Sequence, residues 1–279
     1  MIRLRAAGAL PWLAAALVAC ATAASAQVDE FRPYVGLPGK DVIWLPADLV
    51  MVNKMLDLAR VTDNDTVMDL GSGAGRTVIH AGKRGARGIG VEFNPDLVAH
   101  SRQLAQKEGV ADRVTIERGD LFEADLSRAT VITLFLLPSI NVKLRPKLLE
   151  LKPGTRIISN TFTMDEWQHD ETARDETRDN GCSFNCLAYL WIIPAKAGGS
   201  WQVSSSNGTQ ELQLKQDFQM VTGTLRMGGK SVPVKGRLRG DQLTFTAGSA
   251  QFSGRVAGNA LEGNLTAGGK SSPWRATRH

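Results

Sequence analysis

Cysteine is scarce: the 279-residue chain has three, at Cys20, Cys182 and Cys186. No second Cys/His pair with ligand spacing lies near the last two, so no zinc site is expected and no metal is assigned. No dense Lys/Arg stripe interleaved with aromatics occurs. The net charge of +5 and pI near 9.2 therefore indicate a mildly basic solvated surface, and no nucleic-acid partner is expected. Hydrophobic content of 43% with 22% charged residues excludes a disordered or fibrous chain. The single long apolar stretch, Ala6 to Ala24, is interrupted by Pro11, which argues against a permanent span, so the mature chain is expected to have no transmembrane segment.

That stretch follows Arg3 and Arg5 and ends in Ala24-Ser25-Ala26 before Gln27, a small-x-small cleavage pattern without a preceding twin-arginine pair. Residues 1–26 are read as a secretory signal peptide and the protein as exported, to the periplasm. Two alternatives stand beside this. Leu17-Val18-Ala19-Cys20 has the form of a lipobox, which makes Cys20 a lipidated N-terminus, and an uncleaved segment would anchor a cytoplasmic enzyme. After cleavage at Ala26, Cys182 and Cys186 remain. They either close a small disulfide loop or stand as separate core residues.

Residues 27–194 are expected to form an α/β domain. The segment Asp29 to Leu45 is rich in proline, glycine and aromatics and reads as surface-running chain. From Asp48 the spacing becomes helical. Strands are expected at Val67–Leu70, Gly88–Glu92, Val114–Ile116, Thr130–Leu137, Arg156–Asn160 and Leu187–Ile193. Between them come helices over Thr77–Lys83, from Asn94-Pro95-Asp96 to Gly109, and over Leu144–Leu151. The alternation predicts a mostly parallel sheet. The polar stretch Asp165 to Asn180 reads as a surface excursion. Residues 195–279 change character: two-residue alternation replaces helical spacing, and turn pairs recur at Asn207-Gly208, Gly228-Gly229, Gly240-Asp241, Gly248-Ser249, Gly258-Asn259 and Gly268-Gly269. They form an antiparallel β domain, a small barrel or curved meander, without a catalytic constellation. Its expected role is to bind a partner in the envelope or to cover the first domain.

The chemistry concentrates at Asp69-Leu70-Gly71-Ser72-Gly73-Ala74-Gly75, where a buried strand meets a tight turn and a helix N-terminus. Glu92 ends the second strand about twenty residues on, where an acid accepts hydrogen bonds from ribose hydroxyls. Asp120 follows the third strand and suits an adenine amino group, with Leu121 against the ring. Asp69 suits the turn itself or a ligand ammonium. Acids at successive strand ends of one sheet point to a nucleoside site.

These motifs, with Gly90-Val91-Glu92 and Gly119-Asp120-Leu121, resemble those of class I S-adenosylmethionine-dependent methyltransferases. Pro33-Tyr34-Val35, Glu92-Phe93-Asn94-Pro95, Leu136-Leu137-Pro138, Leu144-Arg145-Pro146 and Leu151-Lys152-Pro153-Gly154-Thr155-Arg156 resemble more narrowly a bacterial group related to mitochondrial protein-lysine methyltransferases, including the ATP synthase c-subunit enzyme. The resemblance covers about Pro33 to Asp170. It implies a Rossmann-like seven-stranded sheet, S-adenosylmethionine as cofactor with Gly71 and Gly73 near its methionine part, and methyl transfer to a protein lysine or other amine. Ala74 stands where the group often has aspartate. Phe135-Leu136-Leu137-Pro138 departs from the Asn/Asp-Pro-Pro-aromatic motif of enzymes that methylate nucleobase amines. Tyr34, Trp44, Asn160, Thr161 and Trp167 are the acceptor-pocket candidates, since aromatic walls suit a cationic amine. A second reading is an inactive envelope-binding module that retains the fold.

Overall fold

The computed structural model describes residues 31–176, 182, 186–205 and 208–279. The signal-peptide and Cys20 readings fall outside these residues. Helix α1 (Leu49–Leu58) precedes strand β1 (Thr66–Leu70), α2 (Arg76–Lys83), β2 (Arg87–Glu92), α3 (Pro95–Lys107), β3 (Val114–Arg118), β4 (Val131–Leu134), α4 (Pro138–Leu148), β5 (Arg156–Asn160), β6 (Glu171–Arg174) and β7 (Leu187–Ile192). The strands form one seven-stranded sheet in the order β3-β2-β1-β4-β5-β7-β6. The first five are parallel to their neighbours, and β7 runs antiparallel to both β5 and β6. This is the seven-stranded, mixed sheet that the resemblance implies.

Both faces are covered, which is why the inner strands read as continuous apolar runs. On one face Val67, Val131, Ile158 and Leu190 pack with Met51, Val52, Met55 and Leu56 of α1. On the other, Met68, Ile132, Leu134 and Ile157 pack with Ile140, Leu144 and Leu148 of α4. Helix α3 begins where the sequence indicates: Asn94 accepts from the Asp96 and Leu97 backbone N–H groups, with Pro95 in the first turn.

Three local expectations differ. Strand β4 stops at Leu134, because α4 begins at Pro138, six residues before its expected start, with Pro146 inside it. The polar stretch after Asp165 is only partly a surface excursion. It contributes β6, and Trp167 within it is 1% exposed. Alternation is weak in so short an edge strand, and only pairing with β7 defines it. Cys182 and Cys186 are joined by a disulfide and pack beside α1.

The remaining strands are β8 (Gly199–Ser205), β9 (Gly208–Asp217), β10 (Met220–Met227), β11 (Lys230–Arg239), β12 (Gln242–Ala247), β13 (Ala250–Ala257), β14 (Ala260–Ala267) and β15 (Lys270–Arg278). They close into an eight-stranded antiparallel barrel, β15 pairing back to β8. Its interior is filled. Phe245 stacks on Phe252 with centroids 4.5 Å apart, and Trp274 meets both edge-on. Gly263 permits the tight curvature, since a Cβ there would lie 1.8 Å from the Ser253 carbonyl oxygen.

The β9–β10 hairpin lacks the glycine pairs of the other barrel turns that the sequence marks. Its turn is Phe218-Gln219, with Phe218 at φ 50°. Tertiary contact holds it. The Phe218 ring stacks on Trp167, 5.7 Å between centroids. Gln219, 2% exposed, accepts from Trp167 Nε1 at 3.0 Å and donates to the Gln168 carbonyl at 2.6 Å. Arg237 pairs with the buried carboxylate of Asp170, and Arg239 with Glu171, fastening β11 to the same edge. Replacing Gln219 by Ala leaves the buried Trp167 N–H without its acceptor. It is expected to lower stability by about 1–3 kcal/mol in urea denaturation, against under ~0.5 kcal/mol for Gln251→Ala on the exposed barrel face.

Candidate functional site

The loop after β1 is left-handed at every second residue: φ is 75° at Gly71, 52° at Gly73 and 77° at Gly75. Only glycine adopts this series without strain, and it turns the backbone N–H groups inward before α2 begins. The Gly71 and Ser72 N–H groups both donate to the Val91 carbonyl, at 2.9 and 3.0 Å, tying the loop to the end of β2. Glu92 completes the tie. Its Oε2 accepts from Gly73 N–H and its Oε1 from Asn94 N–H, both at 2.8 Å. One carboxylate thus spans the two crossover loops and lines the groove, with acceptor capacity remaining on each oxygen.

Asp69 lies one strand away, in register with Thr133 of β4, whose Oγ1 donates to it at 2.6 Å. Burial pushes the Asp69 carboxyl up to about 7, against the pull of hydrogen bonds from Thr133 and Thr77 and with the Glu92 charge adding to the rise. Asp120 accepts from Phe122 N–H at 2.9 Å and pairs with Lys40. The hydrogen bonds from Lys40 and Phe122 N–H hold Asp120 below the usual carboxylate range.

All six residues read as cofactor contacts, Asp69, Gly71, Gly73, Glu92, Asp120 and Leu121, line one groove at the C-terminal ends of β1, β2 and β3. Of the acceptor-pocket candidates, Trp44 alone lines it, and it sits on the glycine loop: a Cβ on Gly73 would come within 2.3 Å of the indole nitrogen. Tyr34 is exposed outside the lining. Asn160 and Thr161 are buried at the end of β5, Thr161 at φ 70°, and Trp167 is in the seam under the barrel. Sequence reasoning missed Lys40, Thr133 and Phe93. Thr133 had a signal, as a polar residue inside an apolar run. Lys40 had none, because its partner is 80 residues away.

The segment 36–47 is folded back across the groove. Gly36 N–H donates to the Trp44 carbonyl and Trp44 N–H to the Leu37 carbonyl. Lys40 stands over the Phe93 ring while pairing with Asp120. With this strap in place the cavity is about 100 Å³, whereas drug-sized ligands occupy pockets of roughly 300–1,000 Å³. Beneath it lies the hydroxyl of Ser72, buried without a partner. Glycine cradle, orphaned hydroxyl and strand-end acids fit a nucleoside cofactor once the strap moves aside. Among the described residues no cluster of His, Cys, Asp and Glu could hold a metal.

The comparisons agree with this geometry. A family model, the ANTKMT methyltransferase domain, matches residues 69–171. The chain is 39% identical over 155 residues to a protein-lysine N-methyltransferase of Saccharolobus islandicus, covering 54% of this chain and 94% of that one. It is 35% identical to the ATP synthase c-subunit lysine N-methyltransferase of Xenopus laevis, covering 46% of this chain but only 56% of that relative. A crystal structure described as an RNA methyltransferase from Salinibacter ruber with S-adenosyl-L-homocysteine is 48% identical over 55% of this chain and 95% of that one, with TM-score 0.51. Fold, groove and relatives together define an S-adenosylmethionine-dependent methyltransferase. More particularly, the chain belongs to the protein-lysine N-methyltransferase family.

Two outcomes follow from the groove. The folded chain keeps a proton on Asp69 that the unfolded chain has already lost, so stability falls as pH rises from about 4 to about 7 and is level above that. Asp69→Asn removes this cost and is expected to stabilise the ligand-free protein at pH 8 by on the order of 2 kcal/mol in thermal denaturation. A cationic ligand beside Asp69 favours its ionised form. S-adenosylhomocysteine should therefore bind about tenfold more tightly at pH 8 than at pH 6, a dependence that Asp69→Asn flattens in calorimetry. Separately, Lys40→Met frees Asp120 from a solvent-screened ion pair and should tighten S-adenosylhomocysteine binding about two- to fivefold.

Proposed function

We propose that this chain transfers the methyl group of S-adenosylmethionine to the Nε of a protein lysine. The observation that carries the reading is the glycine loop clamped by Glu92 inside the segment shared with lysine methyltransferases. The acceptor follows from the relatives, one named for protein lysine, others for lysines of the ATP synthase c-subunit and of adenine nucleotide translocase.

The cofactor, when bound, supplies a methyl carbon made electrophilic by the adjacent sulfonium. The chain then has to position the partners and exclude water. Gly71 and Gly73 let backbone N–H groups approach the methionine part. Glu92 would accept from the ribose hydroxyls, Asp120 with Leu121 would hold the adenine in place of the Lys40 contact, and Asp69 would sit beside the ammonium. The apolar walls Leu134, Phe135 and Ile140 disfavour a charged amine, so the lysine enters the groove in the neutral form that can attack.

The sequence reading of residues 1–26 as an export signal and of residues 195–279 as a separate partner-binding domain belongs to this proposal. N-terminal sequencing of the mature protein tests the first: a chain beginning at Gln27 supports it, and one beginning at Met1 overturns it.

The activity is tested with radiolabelled S-adenosylmethionine and extracts of the source cell's membrane and envelope fractions. Label is expected in protein, resistant to base and recovered as methyl-lysine after hydrolysis, and Glu92→Ala should reduce it by at least about tenfold, as expected for loss of charge-assisted hydrogen bonds. Intact S-adenosylhomocysteine binding with no transfer to any fraction overturns the proposal in favour of a binding module.

A further inference from the structure

The outer surface of the groove's mouth is apolar. Six of the eight large hydrophobic side chains exposed among the described residues lie on segments that line or adjoin the groove: Ile43, Leu45 and Phe93 in its lining, and Tyr34, Val35 and Leu137 close in sequence to lining residues, each of the six 43–66% exposed. They come from three places that only the fold brings together. Ile43 and Leu45 lie on the strap, which is closed by the backbone bonds of Gly36 and Leu37 to Trp44; Tyr34 and Val35 immediately precede it, with Leu37 N–H donating to the Tyr34 carbonyl. Phe93 follows β2, and Leu137 follows β4. Ile43, Leu45 and Phe93 also line the groove, so the rim and the cofactor site are one continuous surface. Exposed apolar side chains are ordinarily scattered, and a collected set marks a contact surface.

The charges at the mouth narrow what that contact is. Four carboxylates line the groove: Asp120 pairs with Lys40, Glu92 holds two backbone N–H groups, Asp69 lies beneath the surface with Thr133, and Asp41 is exposed on the strap. Lys40 and Arg76 line it as well, so the lining is mixed in charge and is not an acidic row that would read a basic tail. The rim borders the groove in which methyl transfer is proposed, and apolar walls favour the uncharged amine.

Taking the lysine reading above as given, we infer that the rim is the docking surface for the acceptor. It selects a lysine flanked by apolar residues, over lysines in basic, acidic or polar tails. Val35 and Leu137 contribute to acceptor binding without lining the cofactor cavity.

Single-lysine peptides differing only in their flanks, Leu/Phe, Ser/Gln, Glu or Arg, measure this with the full chain and labelled cofactor. The Leu/Phe peptide is expected to have a kcat/KM about tenfold above the others. The double variant V35S/L137S is expected to raise KM for that peptide about tenfold, the effect of losing two partly buried apolar contacts. Its kcat and its affinity for S-adenosylhomocysteine should not change. Equal kcat/KM for the four peptides, or an unchanged KM in V35S/L137S, overturns the inference while leaving lysine methylation standing. Adsorption to phosphatidylcholine vesicles that V35S/L137S abolishes, with KM unchanged, overturns it in favour of a lipid surface. If no peptide is methylated although S-adenosylhomocysteine binds, the lysine assignment itself fails and this inference fails with it.

Discussion

The architecture of the groove depends on a single carboxylate. Glu92 is 9% exposed, and its two oxygens hold the backbone N–H of Gly73 and of Asn94. Hydrogen bonds to an ionised acceptor are among the stronger ones available to a protein, and these two lie where little water competes. The first holds the glycine loop in its left-handed series. The second sets Asn94, whose side chain then caps α3. This side chain, with the Gly71 and Ser72 bonds to the Val91 carbonyl, positions the two loops that border the groove relative to each other. Asp69 differs in kind. It too is buried, but its hydrogen bonds do not offset the loss of hydration, so it remains the titratable group of the site.

The strap occupies positions that the proposed cofactor would take. With Lys40 on Asp120 and the Trp44 indole against Gly73, the protein satisfies with its own side chains two positions that the sequence assigns to the cofactor. The competing contacts are modest, one half-exposed ion pair and one aromatic face, so a ligand making charge-assisted hydrogen bonds along the groove displaces them. The same segment carries apolar side chains on its outer side. Its inward and outward faces therefore bear on two different ligands, the cofactor below and the acceptor above.

The barrel is fastened to the sheet where its turn chemistry is weakest. The turns from β10 to β15 each carry at least one glycine at positive φ, and local sequence suffices there. At Phe218-Gln219 the stacked ring of Trp167 and the buried amide of Gln219 take the place of glycine. The ion pairs Arg237–Asp170 and Arg239–Glu171 fix the rotation of the barrel about this seam.

The sequence by itself determined the alternating α/β order, the glycine loop, the acids that end successive strands, the α3 cap and the meander of the tail. Each of these is a local signal: periodicity, a cap, a turn pair, or a residue at the end of an apolar run. Tertiary structure alone decided the closure of the meander into a barrel, the existence of β6, the reach of Lys40 to Asp120, the place of Trp44 beside the glycine loop and the burial of Trp167 under Phe218. In each the deciding contact joins residues far apart in the chain, or depends on pairing with a neighbouring strand. Trp44 shows the difference. Its aromatic character suggested an amine pocket, but what an aromatic ring faces is set by the chain folded against it. Here the bare backbone at Gly73 left the space that the indole fills.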